Sequence, residues 1–219
     1  MQHSSFQTKI DDYKKHKTLP EIIGNFLHNP SPDLISDLEK NIRIHKAAKH
    51  EIVVTQGEIC DRFLLVGSGF MRIMYKSPEA EDTLLFGSAG EVFASMQSYY
   101  FNRPSALGVE AIVESEYWTL SFRHFRELAV RYPELYEWLS NVLSEQLAIL
   151  EKRYVFANVK SAEERLLNFL EKNIIFYNRH DKLKHLSKIV PLKYIAQYLG
   201  MTPQTLSRLR KELLTRERP

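Results

Sequence analysis

One cysteine in 219 residues, Cys60, leaves no partner for an internal disulfide. A single thiol also falls short of the ligand set of an iron–sulfur cluster or a cysteine-based zinc site. Cys60 reads as a small buried residue and not as a redox sensor. No stretch approaches the roughly 20 apolar residues that cross a bilayer, so no membrane partner is expected. The opening residues, MQHSSFQTKIDDYKKHK, lack an apolar signal core, which argues against export and for the cytoplasm. Only eight glycines are present, and none falls in a glycine-rich phosphate loop. No nucleophile–base pair or acidic metal motif stands out, so neither an enzyme nor a metal protein is expected. Internal repeats and low-complexity segments are also missing.

What remains is an ordinary globular composition, 44% apolar and 26% charged, with charge of one sign gathered at one end. The net charge is +3, yet residues 157–219 hold thirteen basic against six acidic side chains, a net +7. The first 156 residues therefore carry −4. A basic tail on an acidic body points to a polyanion partner for the tail alone.

Three segments follow from periodicity. Residues 1–121 read as short strands with glycine corners, behind a short helix at PDLISDLEKNI. EIVVTQGE closes on Gly57, and RFLLVGSGFMRIMY predicts a hairpin at Gly67-Ser68-Gly69. TLLFGSAGE follows, and LGVEAIVESEYWTL alternates Val109, Ala111 and Val113 against Glu110 and Glu114. The expected class is α+β, with an N-terminal β-roll (a jelly-roll-like double-stranded β-helix) and helices after it.

Residues 122–157 read as helical, with a Ser121 cap and a break at Pro133. Leu135, Leu139, Val142, Gln146 and Ile149 repeat at 4-3-4-3 spacing, while Leu143, Leu147, Leu150 and Tyr154 form a neighbouring stripe. So wide an apolar arc needs cover on two sides, from the roll and from the same helix of a second subunit. The homodimer contact is expected at Leu135, Leu139, Val142, Leu143, Gln146, Ile149 and Leu150.

Residues 158–219 hold an amphipathic helix, SAEERLLNFLEKNIIFY, capped by Ser161 with Glu163 and Glu164 in its first turn. After the polar connector NRHDKLKHLSKIV comes PLKYIAQYLGMTPQTLSRLRKELL. Ile195, Ala196 and Leu199 form a short apolar face, and Gly200 ends that helix. Thr202 is placed to cap the next helix, with Pro203 at its first position. Leu206, Leu209 and Leu213 then point inward, leaving Gln204, Thr205, Ser207, Arg208 and Lys211 outward. Gln204 and Arg208, one turn apart, present the amide and guanidinium that read adenine and guanine in the major groove. Double-stranded DNA is the expected partner; an effector module whose basic tail contacts protein is the alternative.

This last stretch, with AEERLLNFL upstream, resembles the winged helix-turn-helix of the Crp–Fnr transcription regulators, and GEICDRFLLVGSGFMRIMY resembles their early roll strands. The resemblance runs from about Leu34 to Leu214. It implies a cyclic-nucleotide-binding-like roll, a dimerisation helix, a C-terminal DNA-binding domain, a two-fold symmetric DNA site and RNA polymerase as a further partner. By position, Thr202 and Thr205 would hold phosphates, and Gln204 and Arg208 would read bases. Pro203 departs from the pattern, since it replaces a recognition residue that is often polar or basic, and any wing after the recognition helix must be very short or absent.

The resemblance also assigns a ligand pocket to Gly90, Glu91, Arg103 and Ser105. Gly90-Glu91 matches the corner that holds a ribose in relatives that bind cyclic AMP. The phosphate grip matches less well, because Arg103-Pro104-Ser105-Ala106 places proline where arginine is usual. Tyr99, Tyr100 and Phe101 are bulky enough to fill the cavity, and the helix positions that supply hydroxyls to adenine fall near Leu147 and Ala148. Cyclic AMP is therefore disfavoured, the effector is unassigned, and a haem on a lone histidine stays open.

Overall fold

The computed structural model describes residues 14–173 and 188–216. Among these, eight strands form two four-stranded antiparallel sheets. In the first, β1 (Arg43–Ala47), β8 (Ser115–Ser121), β3 (Arg62–Ser68) and β6 (Val92–Phe93) lie side by side. The second has the order β2 (Ile52–Val54), β7 (Gly108–Ala111), β4 (Phe70–Lys76) and β5 (Glu81–Ser88). Leu64, Val66, Met71, Phe93 and Val109 fill the space between the sheets. Phe63 and Leu65, on alternate positions of β3, face a second core against α1 (Leu19–Gly24), α2 (Pro32–Asn41), α4 (Phe122–Arg131) and α5 (Glu134–Val159). β3 is thus buried on both faces, which is why its sequence runs apolar without alternation.

The turn at Gly67-Ser68-Gly69 is a corner between sheets and not the expected hairpin, because β3 and β4 pair in different sheets. Gly69 has a φ of +96°, and a Cβ there would sit 2.1 Å from Ser115 Oγ, so only glycine passes. The alternation expected for LGVEAIVESEYWTL also gives way. It makes two strands, β7 and β8, and Glu110 turns inward with 4% of its surface exposed.

Ser31 and Ser121 cap α2 and α4 by accepting from the backbone N–H of Leu34 (3.2 Å) and His124 (3.1 Å). The end of α4 is tied to α2 through Asp37, which accepts from Lys40 (2.8 Å), Tyr132 (2.9 Å) and Arg131 (2.7 Å). Bonds from Lys40 first, then Tyr132 and Arg131, lower the Asp37 pKa from 3.8 to about 2. A depressed carboxylate stabilises the fold fully above its unfolded value near 3.8, and that contribution is lost as pH falls through about 2. Acid unfolding followed by circular dichroism should therefore steepen between these values, and Asp37→Asn should flatten that stretch of the curve.

At 26 residues α5 is about 39 Å long. Its first half is core: Leu135, Trp138, Leu139 and Val142 are 1–3% exposed, packed with Phe63, Leu120 and Phe125. Leu135, Leu139 and Val142 therefore serve their own roll and are not open to a second subunit. Gln146 also faces inward, donating to the Val92 carbonyl at 2.6 Å. Ile149 is half-buried. The outward stripe is the neighbouring one, with Leu143 half-buried and Leu147, Leu150 and Tyr154 exposed.

Candidate nucleic-acid interface and roll cavity

The C-terminal part is built on α6 (Ala162–Asn173), α7 (Leu192–Tyr198) and α8 (Pro203–Arg216). Ser161 and Glu164 form a reciprocal capping box at the start of α6: the Ser161 N–H donates to the Glu164 carboxylate at 2.8 Å, and the Glu164 N–H to Ser161 Oγ at 3.2 Å. Helix α7 closes in a Schellman turn. Gly200 takes a φ of +61°, its N–H donates to the Gln197 carbonyl, and the Met201 N–H donates to the Ala196 carbonyl, each at 3.0 Å. The Arg165 guanidinium, from α6, completes this turn by donating to the Leu199 (2.8 Å) and Gly200 (3.1 Å) carbonyls. No local sequence signal marks Arg165, because the carbonyls it caps lie 34 and 35 positions further along the chain and only folding brings them to it.

Thr202 caps α8 as expected, its Oγ1 accepting from the Thr205 N–H at 3.1 Å, and Pro203 occupies the first turn. Leu206, Leu209 and Leu213 are buried against Ile195, Ala196 and Leu199. This leaves Thr202, Gln204, Ser207, Arg208 and Lys211 exposed, with Thr205 half-buried. Arg208 donates to Glu212 one turn on, at 2.8 Å, so its guanidinium is extended along the helix face. No wing strand follows α8 among the described residues; residues 178–187 of the polar connector and 217–219 lie outside them.

Helix α7 is held against the roll by a buried charged cluster that the sequence reading missed. Arg72 on β4 is 1% exposed and donates to Glu110 (2.5 and 2.8 Å), Glu81 (2.7 Å) and Thr83 (3.0 Å). The Tyr194 ring covers the Arg72 guanidinium at 3.5 Å, and its hydroxyl donates to Glu110 at 3.2 Å. Burial raises the Tyr194 pKa, keeping that hydroxyl a donor. Gln197 accepts from Thr83 (2.8 Å) and Arg72 (3.3 Å), and His50 reaches Glu110 at 2.8 Å. Burial opposes the charge on Glu81, but its bond to Arg72 and that cation's field hold its pKa below the ordinary value. Arg153 of α5 donates to the Leu84 carbonyl and lies over the Tyr198 ring at 5.1 Å, so one side chain touches the long helix, roll and α7 together. Apolar contacts of Phe70, Phe86 and Ile112 with α6, α7 and α8 surround the cluster.

Inside the roll lies a cavity of about 240 Å³, lined by Val54, Ile73, Phe93, Met96, Leu107 and Val109 among others, with Gln146 of α5 on its wall. Of the pocket residues read from the sequence, only Ser105 lines it. Its hydroxyl is already engaged with the Leu107 carbonyl at 2.8 Å. Arg103 is exposed, with its guanidinium toward the Phe101 ring at 5.8 Å. Gly90, at φ +102°, packs on α1, where a Cβ would meet Asn25 at 2.9 Å, and Glu91 is not on the cavity wall. The aromatic cluster does not fill the space either. Helix α3 (Met96–Phe101) buries Tyr99 in the helical core and leaves Tyr100 and Phe101 exposed. With no charged side chain on the wall, these residues do not fit a cyclic nucleotide phosphate. Among the described residues no group of three or more His, Cys, Asp or Glu is placed to hold a metal, and no helix is long and apolar enough to cross a membrane.

Residues 44–132, from β1 to the residue after α4, match the family model of the cyclic nucleotide-binding domain. A CooA mutant from Carboxydothermus hydrogenoformans is similar over 95% of this chain and 88% of its own, at 21% identity and a TM-score of 0.63. The c-di-GMP responsive global regulator CLP of Xanthomonas campestris is similar over 85% of this chain and 93% of its own (14% identity, TM-score 0.66). A putative Crp/Fnr-family transcriptional regulator from Eubacterium rectale is similar over 86% and 85% (16% identity, TM-score 0.65). No curated protein matches the chain.

Proposed function

We propose that this chain, which has the fold of the Crp–Fnr regulators, is a homodimeric transcription regulator that reads a two-fold symmetric DNA site. The observation that carries this is the pair α7–α8. A Schellman turn and a threonine cap fix the angle between the two helices, and the second presents Gln204, Ser207, Arg208 and Lys211 to solvent over a buried leucine stripe. Thr202 and Thr205 hold backbone phosphates, Gln204 and Arg208 read base edges, and Ser207 and Lys211 flank them. Two such helices in a dimer favour half-sites about one helical turn, roughly 34 Å, apart. The seam of the dimer is the exposed stripe of α5, and the roll is the sensor. The buried Arg72 cluster and Arg153 support a route from roll to reading helix, because both fix how α7 sits on the roll. RNA polymerase, the partner of such regulators at promoters, and the cytoplasm as the place of action complete the reading.

The test is selection of a binding site from random duplexes, followed by titration of Arg208→Ala on it. Loss of about 1–3 kcal/mol, with relaxed preference at one base position, is expected in fluorescence anisotropy. Binding that is salt-sensitive but indifferent to sequence, or an unaltered profile in the variant, would favour an effector module whose basic tail contacts protein.

A further inference from the structure

We infer that the roll cavity takes a compact, uncharged, largely apolar molecule carrying one hydrogen-bond donor, and that Gln146 reads it. This rests on the proposal that the roll is the sensor, and it assigns the ligand class of that sensor. Charge excludes first: the cavity-lining residues include no Asp, Glu, Lys, Arg or His, and Arg103 stands outside. A phosphate or carboxylate here would give up hydration with no cation on the wall to offset it.

Polar capacity is the second constraint. Ser95 Oγ accepts from the Ser98 N–H (3.3 Å) and lies 3.1 Å from the Ser98 hydroxyl. The Ser105 hydroxyl donates to Leu107. Gln146 donates its Nε2 to the Val92 carbonyl, and its Oε1 has no hydrogen-bond partner among the described residues. Gln97, on the same wall, is exposed to solvent, which leaves the Gln146 Oε1 as the acceptor on α5 that a single N–H or O–H of a ligand would satisfy.

Size is the third. An apolar cavity of about 150 Å³ holds benzene, and drug-sized ligands need upwards of about 300 Å³. The 240 Å³ here lies between them, the range of a bicyclic aromatic or a short branched aliphatic. The consequence is mechanical: Gln146 sits on α5 four residues beyond Val142, in the turn where the helix leaves its own core for the outward stripe. A guest that donates to the Gln146 Oε1 would act on the helix at that point.

The experiment is calorimetric titration and thermal melting of the full-length protein, without DNA, using phenol, indole, naphthalene and 1-naphthol. Indole-3-acetate and cyclic AMP serve as charged counterparts. At least one neutral probe should bind and raise the melting temperature, and indole should bind at least about tenfold tighter than indole-3-acetate. Ala94→Leu, which fills the cavity, should weaken binding by a similar factor. Gln146→Leu should weaken indole and 1-naphthol but not naphthalene, and Arg103→Ala should change nothing. Failure of all four neutral probes, equal binding of the charged one, or cyclic AMP binding that depends on Arg103 would each overturn the inference. DNA recognition by the ligand-free protein, measured with Arg208→Ala, fails or survives separately.

Discussion

Substituting Arg72 by methionine should lower the free energy of unfolding by about 3–5 kcal/mol, measured by denaturant titration. The size follows from what is left behind. Glu110 is 4% exposed and its carboxylate accepts two bonds from Arg72, so the variant would strand a buried anion. Tyr194 would lose the cation under its ring, and Thr83 and Gln197 would lose a shared donor. Arg72→Lys should recover little, because an ammonium cannot span Glu110, Glu81 and Thr83 while lying flat against an aromatic face. Replacing both charges, Arg72→Met with Glu110→Leu, should restore most of the stability while leaving α7 less firmly seated. Hydrogen exchange would report that seating as faster exchange in 192–198 than in β7. A loss below about 1 kcal/mol in the single variant would mean that the cluster is far better solvated than its burial indicates.

The second large effect concerns association. Leu147→Glu combined with Leu150→Glu should convert the proposed dimer to monomer at micromolar concentration in sedimentation velocity. Leu147 is 57% and Leu150 40% exposed, beside Tyr154 at 74%, a patch of large apolar side chains left open by the described residues of its own chain. Two carboxylates facing two more across a two-fold seam combine lost burial with repulsion. Together these should weaken dimerisation at least about a hundredfold, or 2.8 kcal/mol. Val130→Glu is the control, since Val130 is 85% exposed on α4 and off this stripe. If the double variant stays dimeric, the seam lies elsewhere. DNA affinity should fall along with the dimer, because each half-site would then be bound alone.

Much of the architecture was legible in the chain because local rules and tertiary demands agree there. Ser121, Ser161 and Thr202 sit where helices begin, Pro133 where one must end, and Gly200 where a positive φ is needed. The leucines of α8 and the outward set Gln204, Ser207, Arg208 and Lys211 followed from helical periodicity. Two places defeated the reading for physical reasons. Gly67-Ser68-Gly69 has hairpin chemistry, yet its flanking strands are buried on both faces and belong to different sheets, which no local signal reveals. Glu110 looks solvent-facing in an alternating strand because its partner Arg72 lies 38 positions away, and only folding brings a matching cation beneath it. The two stripes on α5 were visible, but which of them the roll would claim depended on the facing surface. That choice placed Leu135, Leu139 and Val142 inside.

Leu143 is half-buried and packs on the core, yet it also begins the outward stripe, so in the proposed dimer one side chain would be divided between the interior and the neighbouring subunit. Packing and assembly then draw on the same few ångströms of helix, and mass action reaches into the fold itself. Dilution would loosen the turn of α5 that braces the cavity, and anything settling in the cavity would shift the balance between one chain and two.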